Sequence, residues 1–271
     1  MTVIDEPSSV METHRNYHVL DSDNPVVNFY RNNHRYQTLS KAHELQKKYS
    51  VCTGPELSVE EALILLDGVK DASDPDTKFA QSQHAYQTAE RIRALHPEDK
   101  ELQLVGLVHD MGKILQAVYH EPDYFVVGDT FPLGCKFSDA NVFAEFFVDN
   151  PDLRNPLYQT DLGIYRERCG FENVVMSYGH DQYLYDVCKW NGVKLSDRAL
   201  YLIRFHSFYP FHKWGAYDML ASEKDYEMLP SLKHFQQFDL YSKTEVPVNI
   251  PEVKPYYDAL IKEYFPVTLR W

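Results

Sequence analysis

The sequence predicts a mostly α, single-domain helical bundle with a short β element and an N-terminal arm. Three observations carry this reading. Helix-start signals recur along the chain, only one run has strand character, and no stretch rich in Gly, Ser or Pro divides the 271 residues. That length is long for one domain yet short for two well-cored ones.

The elements follow in order. Residues up to about Asn24 are polar, contain Pro7 and show no period, so most of this arm is expected to be mobile, with 1–14 assigned as a flexible segment and 15–271 as the domain. Asn24-Pro25 supplies an N-cap and a proline at the first helical position, opening a helix expected to run to about Tyr49. Ser58 with Glu61 is a capping box ahead of Ala62, Leu63, Leu65 and Leu66. Pro97 is expected to start a long helix carrying His109-Asp110, and Ser138 to cap Val142 to Val148. Ser196 caps a helix through Ile203 to His206 that must end near Pro210, and Pro251 opens a last one through Tyr257, Leu260 and Tyr264. Tyr124 to Val127 reads as the strand, and Asp129 to Gly134 as a loop.

Charge narrows the partners. With 27 basic against 40 acidic residues the net charge is −13, which argues against a nucleic-acid or anionic-membrane surface. No apolar run approaches the ~18 residues needed to span a bilayer, and the N-terminus lacks the apolar region of a secretory signal. The expectation is a soluble, cytoplasmic monomer. Cys52, Cys135, Cys169 and Cys188 are scattered without the close pairs of a zinc site, and read as free thiols in a reducing cytosol.

The chemistry lies in His84, His109-Asp110, His180, His206 and Asp239. Imidazole and carboxylate are the ligand types that iron and its first-row neighbours take. A His-Asp dipeptide alone is weak evidence, since His180-Asp181 is a second copy in the same chain. Context strengthens the first copy: Leu102, Val105, Leu107 and Val108 precede His109, and a charge entering the core there needs a partner or a metal. Leu202, Ile203 and Phe205 do the same for His206, while Asp239 sits within Phe235-Gln236-Gln237-Phe238-Asp239-Leu240-Tyr241. Successive helical residues point about 100° apart, so His109 and Asp110 suit a two-metal site in which the carboxylate bridges. Spacing alone leaves open how His84, Asp239, His180 and His206 divide between the ions.

The flanking words resemble a known family. Arg15-Asn16-Tyr17, Asp71-Ala72-Ser73-Asp74-Pro75-Asp76, His109-Asp110-Met111-Gly112-Lys113, Val127-Gly128-Asp129-Thr130-Phe131-Pro132, Tyr178-Gly179-His180-Asp181, Arg204-Phe205-His206-Ser207-Phe208-Tyr209-Pro210 and Phe238-Asp239-Leu240-Tyr241 run in order along the chain. Together they resemble the inositol oxygenase family of the HD-domain superfamily, from about Arg15 to Trp271. The resemblance implies an HD-type fold and an oxygenase that cleaves the ring of myo-inositol with O2 to give D-glucuronate. It also implies two iron ions per chain, in a mixed-valent Fe(II)/Fe(III) pair. By the family pattern His84, His109, Asp110 and Asp239 hold one iron, and Asp110, His180 and His206 the other.

The same resemblance implies substrate contacts at Arg15, Asp71, Ala72, Ser73, Lys113, Gly128, Asp129, His206, Ser207 and Lys243. Lys113 is the catalytic candidate: four residues after His109 and three after Asp110, it falls on their helical face, where an ammonium favours ionisation of a substrate hydroxyl. The arm bearing Arg15 is expected to close over the site and exclude water. Two rivals stand beside this reading. One is an HD-type metal-dependent phosphohydrolase, which needs several basic residues around its phosphate; the other is a non-catalytic helical binding protein with structural histidines.

Overall fold

The computed structural model describes residues 23–73, 80–241 and 246–271. The flexible segment expected over 1–14, together with Arg15 and Lys243, lies outside the described residues. Eleven α-helices and one two-stranded sheet occur among the described residues, which bears out the mostly helical single-domain expectation. None of these helices is long and apolar enough to cross a membrane.

Local signals explain where most helices start. Asn24 caps α1 (Pro25–Tyr36) by accepting from the Val26 N–H, with Pro25 at the first turn. The expected single helix to Tyr49 is two helices, because Thr38 caps a second, α2 (Leu39–Tyr49). The Gln37 side chain explains the break. Its Nε2 donates to the Tyr124 and Tyr178 carbonyls while its Oε1 accepts from the Tyr178 N–H, fixing the chain against distant loops. Ser58 and Glu61 make the capping box of α3 (Val59–Leu66) as expected. α4 (Gln81–Leu95) follows, and then α5 (Lys100–Val108), capped by Asp99.

The long helix expected to carry His109-Asp110 stops at Val108. The chain passes into a 3₁₀ turn over Met111–Ile114 and then α6 (Leu115–Tyr119). Tyr124 to Val127 is not a strand: Asp123–Phe125 is a 3₁₀ turn in which the Asp123 carboxylate accepts from the Tyr124 N–H. Ser138 does not cap a helix either, since its hydroxyl accepts from Ala140 in a turn, and 144–149 is 3₁₀.

α7 (His180–Trp190), α8 (Asp197–Phe205, capped by Ser196), α9 (Tyr209–Trp214), α10 (Glu223–Tyr241) and α11 (Ile250–Tyr264) complete the helices. Pro210 does not simply end the preceding helix; it sits in the first turn of α9. The strands are β1 (Glu56–Leu57) and β2 (Leu269–Arg270), antiparallel with Glu56 opposite Arg270. They pin the C-terminus, where Trp271 is fully buried and its carbonyl accepts from the Tyr119 hydroxyl at 3.1 Å.

α4 packs along α5, α7 along α8, and α10 lies against α4, α5 and α8, so the site forms where these helices meet. Close approach of α4 and α5 depends on Gly106: a Cβ there would meet Ile92 Cδ1 at 2.8 Å and the Ala89 backbone at 3.1 Å.

His34 on α1 is buried away from this centre, stacked on Phe147 with ring centroids 4.0 Å apart. Its Nε2 lies 2.6 Å from the Val142 carbonyl. Burial pushes its pKa down from 6.5 to about 4, the Val142 contact opposing only in part. A depressed histidine binds its proton more readily in the unfolded chain. The stability it confers is therefore full above pH 6.5 and is lost as the pH falls toward 4, a change of ~3 kcal/mol. His34→Phe should flatten this part of the profile: between pH 7 and 4.5 its thermal midpoint should fall by fewer degrees than that of the unsubstituted protein.

Candidate metal centre

Main-chain carbonyls aim three of the candidate imidazoles. His109 and His206 stand at the C-caps of α5 and α8, and each ring turns back on its own helix. His109 Nδ1 is 2.9 Å from the Gly106 carbonyl, and His206 Nδ1 is 2.9 Å from that of Ile203. His180 opens α7, and both its backbone N–H and its Nδ1 lie 2.8 Å from the Val126 carbonyl. A carbonyl oxygen only accepts, so Nδ1 carries the proton in each ring and Nε2 keeps its lone pair for the site.

Those lone pairs converge. His180 Nε2 and His206 Nε2 are 3.1 Å apart, and Asp110 Oδ1 lies 3.4 and 3.7 Å from them. On the other side His84 Nε2 is 3.0 Å and His109 Nε2 3.5 Å from Asp239 Oδ1. His109 Nε2 is also 3.5 Å from Asp110 Oδ2, and it has no hydrogen-bond partner among the described residues despite full burial. The two Asp110 oxygens thus face two different groups of nitrogens. Two ligands about 2.1 Å from one ion and at right angles are about 3 Å apart, so the spacings on both sides suit a metal. Two neutral imidazoles presenting lone pairs to each other repel unless a cation lies between them.

Charge points the same way. Asp71, Asp110 and Asp239 line the cavity with Lys113, the one lysine on its wall among the described residues, and Asp181 lies against His180. Burial opposes ionisation of Asp110, but Lys113 and His109 outweigh it and hold the carboxyl well below its usual range. Burial is likewise overcome at Asp239 by His109 and His84. At His109 and His180 burial disfavours the proton, yet the carboxylates of Asp110 and Asp181 raise both pKa values. Protons and metal ions therefore compete for the same nitrogens, and metal loading should weaken as the pH falls below neutrality.

Lys113 is buried, its Nζ 2.8 Å from both Asp71 Oδ2 and Asp110 Oδ2. It reaches Asp110 along the 3₁₀ turn, in which residues three apart eclipse. Burial works against the ammonium, but Asp110 and Asp71 more than compensate and raise its pKa. Asp71 Oδ1 in turn accepts from the Ser73 N–H at 3.0 Å and from its hydroxyl.

Asp71, Ser73, Lys113, Gly128 and Ser207 line a polar cavity with the His and Asp cluster. Asp129 is buried next to Gly128, and Ala72 packs on the core; neither is among the lining residues.

Two lining or supporting residues were not singled out from sequence. Tyr209 lines the cavity with no signal beyond its place in the Arg204 to Pro210 run. Asp181, from the look-alike pair, is 1% exposed rather than a bystander. Its Oδ1 lies 2.8 Å from His180 Nε2 and accepts from the Ser207 hydroxyl, while Oδ2 accepts from the Ser207 N–H. From α10, Gln236 Nε2 donates to the His206 carbonyl, tying that helix to the end of α8.

Gly112 is the tightest point of the site: a Cβ there would fall 2.1 Å from the His180 carbonyl oxygen and 2.8 Å from its carbon. Gly112→Ala should push the start of α7 away from Asp110. The expected result is about 1–3 kcal/mol of destabilisation with lowered metal content, read from the thermal midpoint and metal analysis together.

A family model described as myo-inositol oxygenase matches residues 23–271. An inositol oxygenase of Dictyostelium discoideum is 45% identical over 271 residues, covering 98% of this chain and 92% of that protein. One from Danio rerio is 47% identical over 259 residues, covering 95% of this chain and 92% of that protein. The Bos taurus protein is 44% identical over 267 residues, covering 98% and 93%. A helical scaffold that brings histidines and aspartates from α4, α5, α7, α8 and α10 to one buried point, matched over nearly its whole length, belongs to the myo-inositol oxygenase family.

Proposed function

We propose that this protein is an inositol oxygenase that takes myo-inositol and O2 and cleaves a ring carbon–carbon bond to give D-glucuronate. The observation that carries the metal requirement is the 3.1 Å approach of His180 Nε2 and His206 Nε2, both with Nδ1 committed to main-chain carbonyls. We read the centre as two irons, His84, His109, Asp110 and Asp239 holding one, and Asp110, His180 and His206 the other. When bound, the mixed-valent iron pair supplies the redox chemistry for activating O2. The all nitrogen and oxygen donor set, without thiolate, suits that assignment.

The chain's own residues supply the rest. A polyol entering a dry site loses hydrogen bonds to water and needs replacements. Ser73 and Ser207 offer hydroxyls and Asp71 a carboxylate along the cavity wall. Asp181 holds Ser207 through both its N–H and its hydroxyl, so that group is positioned before substrate arrives. Lys113, kept protonated by two carboxylates, acts as a fixed charge rather than a proton donor, favouring the ionised form of a nearby substrate hydroxyl. Arg15 and Lys243 complete the proposed substrate contacts, with the arm bearing Arg15 closing the site. The free thiols Cys52, Cys135, Cys169 and Cys188 suit the reducing cytoplasm in which we place the protein as a monomer.

A phosphohydrolase is not favoured. Phosphate needs surplus positive charge, and the single lysine on the described wall is already flanked by Asp71 and Asp110. The test is O2 uptake with myo-inositol, run with iron and a mild reductant and coupled to detection of a uronic acid. About two irons per chain and inositol-dependent uptake support the reading. A single tightly held zinc, or phosphate release from nucleotides without O2 uptake, overturns it.

A further inference from the structure

Outside the buried centre, a second pair of imidazoles meets between the same two helices. His96 is the C-cap of α4 and His234 lies within α10. Their Nε2 atoms are 2.8 Å apart, with ring centroids at 4.8 Å and planes at 79°. Both rings are half-buried. Phe238 presents its ring edge-on to each, at 5.6 Å from His96 and 4.9 Å from His234, forming an apolar floor. The Asp99 carboxylate acts electrostatically on both rings, and it is itself held by Arg198 at 2.6 and 2.8 Å.

Two rings at this distance share either a proton or a cation. A shared proton leaves a hydrogen bond at a partly wetted surface, where water competes and the net gain is small. A cation uses both lone pairs at once, since two nitrogens about 2.1 Å from one ion and at right angles lie about 3 Å apart. The half-exposed side leaves room for water to complete the shell, and Asp99 complements a dipositive charge without displacing that water. Imidazole selects zinc, copper or nickel over magnesium or calcium.

We propose that His96 and His234 form a surface binding site for a borderline divalent transition metal such as Zn²⁺, separate from the catalytic centre. Its occupancy clamps α4 to α10. Those helices carry His84 and Asp239, whose ligand atoms are 3.0 Å apart, His84 standing toward the opposite end of α4 from His96. The clamp therefore bears on the helix pair that presents one side of the buried metal site. The inference uses no residue of the proposed active site and does not depend on the substrate.

The test is calorimetric titration of Zn²⁺ into the iron-loaded full-length protein, with iron content measured before and after. One saturable Zn²⁺ site is expected with iron retained. His96→Gln and His234→Gln should each weaken it by at least about tenfold, because a lone imidazole loses the effective concentration of its fixed neighbour. Both variants should keep their iron content and a near-normal thermal midpoint, since neither ring is fully buried. An isotherm unchanged in both variants would overturn the proposal, as would Zn²⁺ uptake matched by iron release. Failure of the inositol assay, by contrast, would leave this titration unaffected.

Discussion

On the two-iron centre proposed above, Asp110→Ala is expected to lose both metals and all measurable turnover. One oxygen of this carboxylate faces His180 and His206, the other faces His109 and Lys113, so a single deletion removes a donor from each side. It also strands the Lys113 ammonium with Asp71 alone, and breaking a buried pair of this kind costs about 3–5 kcal/mol. The comparison that gives the experiment its force is Asp181→Ala. Asp181 touches only the His180 and His206 side, through His180 Nε2 at 2.8 Å and Ser207. In the sequence Asp181 stands only in the second copy of the His-Asp pair; its burial against these groups sets the expectation at loss of one ion, with the His84 side retained. Metal content per chain decides the matter. Equal loss in the two variants would remove the case for Asp110 as the bridge.

Lys113→Met should lower turnover per bound iron by about 10²–10³, the usual worth of one positioned charge in a water-excluded site. Methionine keeps most of the side-chain volume, so the loss reports charge rather than a cavity. The fold will not be untouched: Nζ is 2.8 Å from two carboxylates, and without it those groups repel at close range. A lower thermal midpoint is therefore expected alongside the loss of rate, together with weaker inositol affinity. Turnover must be divided by iron content on the same preparation. Normal turnover per iron would take Lys113 out of the mechanism, and loss confined to iron content would make it a support of the metal shell.

The chemistry was more legible in the sequence than the shape that delivers it. His109, Asp110, His206 and Asp239 stand among apolar residues, and charge in such surroundings announces a partner. Capping signals at Asn24, Ser58 and Ser196 worked because a side chain bonding its own next turn is a local event. The misreadings arose where a distant contact, or a local turn competing with the helix or strand signal, decided the conformation. Gln37 breaks the first helix by bonding Tyr124 and Tyr178, far along the chain. Tyr124 to Val127 has strand composition, but the Asp123 carboxylate accepts from the Tyr124 N–H and holds a turn there. Asp110 and Asp181 follow a histidine alike, and nothing local says which oxygens will face two groups of nitrogens. The spacing of Lys113 was right for the wrong helix type: three residues bring it over Asp110 in a 3₁₀ turn.

The carbonyls of Gly106, Val126 and Ile203 do more than orient rings. Each satisfies Nδ1 with the main chain alone: the Gly106 and Ile203 carbonyls are in place once α5 and α8 have formed, and that of Val126 once the segment after the Asp123–Phe125 turn has docked on the start of α7. Tautomer and ring rotation are thus set before any ion arrives, so the entropy of ordering these ligands belongs to folding and not to metal uptake. The empty receptor should be a folded protein with its imidazoles already aimed, and ferrous iron added to it should be captured in a fast second-order step without a slow refolding phase. Metal loading is then expected to be limited by delivery rather than by rearrangement, and an enzyme stripped of its metal by a chelator to remain ready to be recharged.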